Sequence, residues 1–139
     1  MANGLFVSFR NGVLGSHATY VDLDADTIKI GLFDHGVDTP VLATDDFYND
    51  INTALVGSLS AALTAKTIGT VAAGVFDSND VTFTAVSGSS AESVVELKDT
   101  GTTSTSNLIA FWDTATGLPV TPNGGDITVT FSASGHFTF

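Results

Sequence analysis

Apolar and polar residues take turns along much of the chain, and the rhythm is clearest near its end. In Asp126-Ile127-Thr128-Val129-Thr130-Phe131-Ser132, the side chains of Ile127, Val129 and Phe131 share one face while Thr128 and Thr130 share the other, because successive strand side chains point oppositely. That pattern predicts a half-buried strand. Ala133-Ser134-Gly135 reads as a turn, after which His136-Phe137-Thr138-Phe139 resumes the alternation. The same signature marks Thr27 to Phe33, Val81 to Val86 and Ser93 to Lys98, whereas Asn107 to Trp112 is apolar on both faces, as a central strand would be. Weaker patterns run over Leu55 to Leu59, Lys66 to Val71, Gly74 to Phe76 and Leu118 to Val120.

Between these runs lie clusters of turn-forming residues: Asp22 to Asp26, Asp77 to Asp80, Gly88 to Ser90, Asp99 to Thr103 and Pro122 to Gly125. Short strands with turns at this spacing predict an all-β fold, an antiparallel β-sandwich or small barrel, with a jelly-roll arrangement among the options. One segment breaks the rhythm. Thr44 to Ile51 offers Thr44 as an N-cap, Asp45 and Asp46 in the first turn, and Phe47 and Ile51 one turn apart, which predicts a short helix over 44–51. Leu5 to Leu14 is open to two readings, a helical turn or an edge strand.

A length of 139 residues suits one domain spanning 1–139, large enough to bury roughly two thirds of the surface its unfolded chain exposes. Cysteine is absent, which excludes disulfides, thiolate nucleophiles and Cys-ligated metals. Four Lys and Arg against fifteen Asp and Glu give a net charge of −11, so a nucleic-acid partner is not expected. No basic region precedes the first apolar residues, and no apolar stretch is long and uncharged enough to span a bilayer, so neither a signal peptide nor a membrane partner is expected. Only 14% of residues are charged and mean hydropathy is +0.31. The polar surface is therefore mostly hydroxyl and amide, mild enough to be buried against another protein.

Candidate chemistry is sparse. Asp22, Asp24 and Asp26 alternate like the start of a calcium loop, but Thr27 stands where that loop needs Gly and Phe33 where it needs a bidentate Glu. An acidic turn leading into a strand is the simpler reading. His17, His35 and His136 show no ligand-pair spacing, and Ser89, Ser90 and Ser93 lie in no nucleophile elbow. Glu92 and Glu96 would stand about 13 Å apart along a strand, beyond the usual spacing of a hydrolytic carboxylate pair. Trp112 reads as core, and Tyr20 and Tyr48, near turns, are the aromatics best placed to stack on a sugar. No catalytic, metal or cofactor site is expected, and no enzyme.

Several segments in order carry a resemblance: Gly4 to Phe9, Asp26 to Asp34, Leu42 to Phe47, Phe76 to Val86, Leu97 to Gly101, Leu108 to Asp113 and Ile127 to Phe131. The series resembles a family of small tailed-bacteriophage virion proteins described as head decoration, cement or minor structural proteins. The chain departs from the family pattern over Val56 to Lys66, where Ala, Leu and Ser replace a Gly-rich stretch. The resemblance implies a protein of the virion, assembled in the bacterial host cytoplasm, that stabilises the head lattice as a homo-oligomer, a trimer above all, with the major capsid protein as partner. The alternative is a tail- or fibre-associated β module that binds host-surface glycans.

Overall fold

The computed structural model describes residues 3–15 and 20–139. Its ten strands are β1 (Gly4–Leu5), β2 (Ile28–Phe33), β3 (Leu55–Val56), β4 (Thr67–Ile68), β5 (Val75–Asp77), β6 (Val81–Phe83), β7 (Ser93–Lys98), β8 (Leu108–Trp112), β9 (Ile127–Val129) and β10 (Phe137–Thr138). They form antiparallel sheets of five strands in the order β1-β8-β7-β2-β3, three in the order β10-β5-β4, and two, β6-β9. The all-β class read from the alternation is the class of the fold.

The five-stranded sheet holds the core. β2, β7 and β8 are buried along almost their whole length, so the sheet is covered on both faces even though only β8 is apolar throughout and β2 and β7 alternate. Leu32 pairs with Val94 and Val94 with Trp112, while Ile30 pairs with Glu96 and Glu96 with Ala110. Directly paired residues share a face, so Ile30, Leu32, Val94, Glu96, Ala110 and Trp112 line one side of this sheet. On the other side Phe33 meets Tyr48 edge-on, and Phe111 stacks on His35.

Three segments depart from the pattern, each for a local reason. The stretch over 44–51 is helical only as one 3-10 turn, Tyr48–Asp50, with a second, Asn52–Ala54, just beyond it, and Thr44 caps neither. The carboxylate of Asp50 accepts the N–H groups of Asp46 and Phe47 instead. Phe47 forms a β-bridge to Asn107, and Leu108 donates to the Asp46 carbonyl. Backbone committed to the head of β8 cannot also close α-helical bonds. Leu5 to Leu14 divides between both readings: β1 pairs with β8, and α1 (Val7–Val13) follows it. The run over Val81 to Val86 stops pairing at Phe83, because Ala85 takes a left-handed conformation with φ 51°. Among the described residues, no helix is long and apolar enough to cross a membrane.

Candidate interaction site

The strand with the clearest alternation is the one least covered. Ile127, Val129 and Phe131 are only half-buried, and Thr128 and Thr130 are exposed. Among the described residues β9 pairs with β6 alone, and a two-stranded ribbon has little stability of its own. Between β9, the segment 115–120 and the five-stranded sheet lies a groove of about 650 Å³, with Leu32 and Val94 on its floor, Val129 and Phe131 on one side, and Leu118 and Val120 on the other. The far side is fixed by Val120, which exchanges backbone hydrogen bonds of 2.9 Å with Ala91 in both directions. No residue lining the groove carries a charge.

At one end the groove runs into a smaller cavity of about 230 Å³, bordered by Trp112, Phe131, Gly135 and His136. Here the chain hides its most unusual chemistry. Glu96, on the inner strand β7 at an irregularity in the β7–β8 register, is fully buried, and its Oε2 lies 2.9 Å from His136 Nδ1. His136 Nε2 lies 3.1 Å from Ser78 Oγ, and that hydroxyl also donates to the Asn79 carbonyl at 3.0 Å. The imidazole is stacked on Phe131, with ring centroids 3.4 Å apart, and meets Phe76 and Trp112 edge-on. Burial pushes the Glu96 carboxyl above its ordinary value, opposed in part by the hydrogen bond and charge of His136. Its other oxygen, Oε1, is buried without a hydrogen-bond partner.

Gly135 makes this arrangement possible. It ends the turn begun at Ser132 with φ 88°, and a Cβ there would come within 2.7 Å of the Phe76 carbonyl. The tight approach sets the His136 backbone N–H on that carbonyl, at 2.8 Å, and the ring under Phe131.

Serine, histidine and carboxylate in line are the parts of an activated nucleophile. The hydrogen bonds at Ser78 run the other way. Ser78 gives its proton to a backbone carbonyl, so Nε2 is left to donate to Ser78, and the two cavities that His136 borders do not reach Ser78. The line was hidden in the sequence, since Ser78 and His136 are 58 positions apart and Glu96 and His136 are 40.

The other candidate residues do not converge. Asp22, Asp24 and Asp26 close an acidic turn: Asp22 Oδ1 accepts the N–H groups of Asp24 and Ala25, and Asp26 Oδ2 accepts that of Asp22. Lys98 pairs with Asp26 at 2.8 Å, and Lys66 bonds the Asp26 carbonyl. The carboxylates of Asp22 and Asp26 serve backbone and lysine, and among the described residues no group of three or more His, Asp or Glu side chains is placed to hold a metal ion. His35 bonds Ser93 Oγ at 2.8 Å, and its backbone N–H reaches Glu92. Each glutamate thus engages a different histidine residue. His17 lies outside the described residues. Ser90 pairs with Thr121 and Ser89 with Asp34. Of the aromatics, Trp112 borders the smaller cavity, Tyr48 packs on Phe33, and Tyr20 is exposed far along the chain from both.

Neither the models of known protein families nor the curated proteins contain a match to this chain.

Proposed function

We propose that this chain is a structural protein of a bacteriophage virion, a decoration or cement protein that binds the major capsid protein as a homo-oligomer, with a trimer favoured. The observation that supports this reading is the groove beside β9. Its half-buried apolar residues and uncharged lining suit the burial of another protein surface and offer no group to activate a substrate. The segments that carry the family resemblance agree with an assembly role, since they fall mainly on strands and turns: β1, β2, β6, β8 and β9. The surplus of acids over bases disfavours nucleic acid as the partner.

The test is reconstitution. Purified protein added to phage heads that lack it should bind saturably at symmetry-related positions over the shell and raise its resistance to heat. Failure to bind heads, or binding confined to the tail, would overturn the reading. A glycan-binding module is the second reading, favoured by Trp112 beside Phe131 at the smaller cavity. It predicts quenching of Trp112 fluorescence by host-surface oligosaccharides.

A further inference from the structure

The dipeptide Asn-Gly occurs three times, as Asn3-Gly4, Asn11-Gly12 and Asn123-Gly124. In this pair the backbone nitrogen of glycine, with no glycine side chain to obstruct it, can close on the asparagine side-chain amide carbon as a five-membered ring. Closure requires that nitrogen to eclipse Cβ across the Cα–C bond of the asparagine, a conformation that neither a helix nor a strand supplies. The fold therefore decides which of the three pairs reacts.

Two of them are locked. The side-chain oxygen of Asn3 accepts the N–H groups of Asp113 and Thr114 at 3.0 and 3.2 Å and the Thr114 hydroxyl at 2.9 Å, and Gly4 lies in β1 opposite Phe111. Asn11 and Gly12 lie within α1, and Gly12 is buried.

Asn123 is different. It is exposed, as are Gly124 and Gly125, and the three lie outside the helices and strands. Its side-chain oxygen accepts the Gly125 N–H at 2.9 Å, an Asx-type turn. That bond folds the amide carbon back over the Gly124 peptide and draws electron density from it, so the atom to be attacked is near and polarised. Gly124, at φ 86°, keeps a backbone freedom that other residues lack. One bond opposes the reaction, from the Gly124 N–H to the Val86 carbonyl at 2.8 Å. It belongs to a clasp of two bonds, the second from the Val86 N–H to the Gly125 carbonyl at 2.9 Å, beyond the last pair of the β6–β9 ladder, Phe83 with Ile127. Opening so small a clasp costs far less than freeing β1 or α1, which are anchored by the buried rings of Phe6 and Phe9.

We propose that Asn123 is a site of spontaneous conversion to aspartate and isoaspartate, that it reacts ahead of Asn3 and Asn11, and that the product loosens the clasp at the head of β9. The Gly124 nitrogen gives its proton to solvent base and attacks Asn123 Cγ. The new C–N bond forms, the Cγ–Nδ2 bond breaks, and Nδ2 takes a proton from water and leaves as ammonia. Water then opens the imide ring. Cleavage of the Cγ–N bond gives aspartate; cleavage of the bond from the main-chain carbonyl carbon to N gives isoaspartate, whose main chain runs through Cβ and Cγ. Either product adds a negative charge close to Asp126, whose Oδ1 holds the Ala85 N–H at 2.9 Å. Isoaspartate also lengthens the main chain by one methylene where Gly124 and Gly125 must meet Val86.

The test is to incubate the full chain at mildly alkaline pH, digest it, and map the peptides by mass spectrometry and by labelling with an isoaspartyl methyltransferase. The peptide that holds Asn123 should gain the mass of an NH2-to-OH exchange, split into two products and take up label, at least about tenfold faster than the peptides that hold Asn3 and Asn11. In urea the three should convert at similar rates. Asn123→Gln, whose longer side chain would have to close a six-membered ring, should abolish the labelling of that peptide. In the converted protein the amides of Val86 and Gly124 should exchange about tenfold faster while those of β7 stay unchanged. Conversion of Asn3 or Asn11 first, equal rates at all three in the folded chain, or labelling that survives in Asn123→Gln would overturn the assignment. Unchanged exchange at Val86 and Gly124 would overturn the loosening of the clasp.

Discussion

The inner strands β7 and β8 and the outer strand β9 are built from similar residues and end in opposite conditions. In β7 and β8 both backbone edges are paired and nearly every side chain is buried. In β9 one edge has no neighbouring strand among the described residues, and the inward face is only half covered. Alternation states that one face of a strand meets something apolar; it does not state that the something belongs to the same chain. The inner strands find theirs within the domain, and β9 finds only part of its own.

The contrast predicts unequal costs of truncation. Phe111→Ala in β8 removes a fully buried ring and should cost about 3–5 kcal/mol in urea unfolding. Val129→Ala in β9 should cost about 1 kcal/mol or less, since little of its burial is complete. Equal costs would erase the distinction.

The Glu96–His136 pair joins the two regions, and His136→Ala should cost about 3 kcal/mol because it leaves a carboxylate buried without its partner. The same change frees Phe131 from its stacking contact, so fluorescence of the neighbouring Trp112 should shift as well.

A pH effect of intermediate size follows from Glu96. Its folded value is raised above the ordinary 4.5, so the stability it contributes is fully present below that value and is lost as pH rises toward the folded one. Glu96→Gln removes the titrating group and should flatten the decline in stability above about pH 5. An unchanged slope would place the decline elsewhere.

The smallest effect belongs to the charged end of the five-stranded sheet. Lys29, 2.7 Å from Asp99, holds that carboxyl below its ordinary value, so the contribution of Asp99 is present above that range and lost as pH falls. Lys29→Met should cost about 0.5 kcal/mol near neutral pH and lessen the loss of stability in acid. A cost as large as that of His136→Ala would contradict the ranking.

Much of the fold was legible from side-chain rhythm. The alternating runs at Thr27 to Phe33 and Ser93 to Lys98 became β2 and β7, and the two-sided apolar run before Trp112 became the inner strand β8. What escaped was set by contacts distant in sequence. Thr44 to Ile51 has a helical pattern, yet the bridge from Phe47 to Asn107 claims its backbone. Glu96 looks like a solvated strand residue, and nothing nearby in sequence announces that His136 will bury it. The β9 edge was half legible, since its pattern gave the strand but not the absence of a neighbour on one side.

Amide exchange of the isolated chain tests most directly whether β9 is an open edge. The inner amides of β7 and β8 should exchange only through global unfolding, while the amides of Ile127 to Thr130 that point away from β6 should exchange orders of magnitude faster. Protection of every amide in residues 127–130 at the level of β7 would mean that the edge is already filled, and the account would fail.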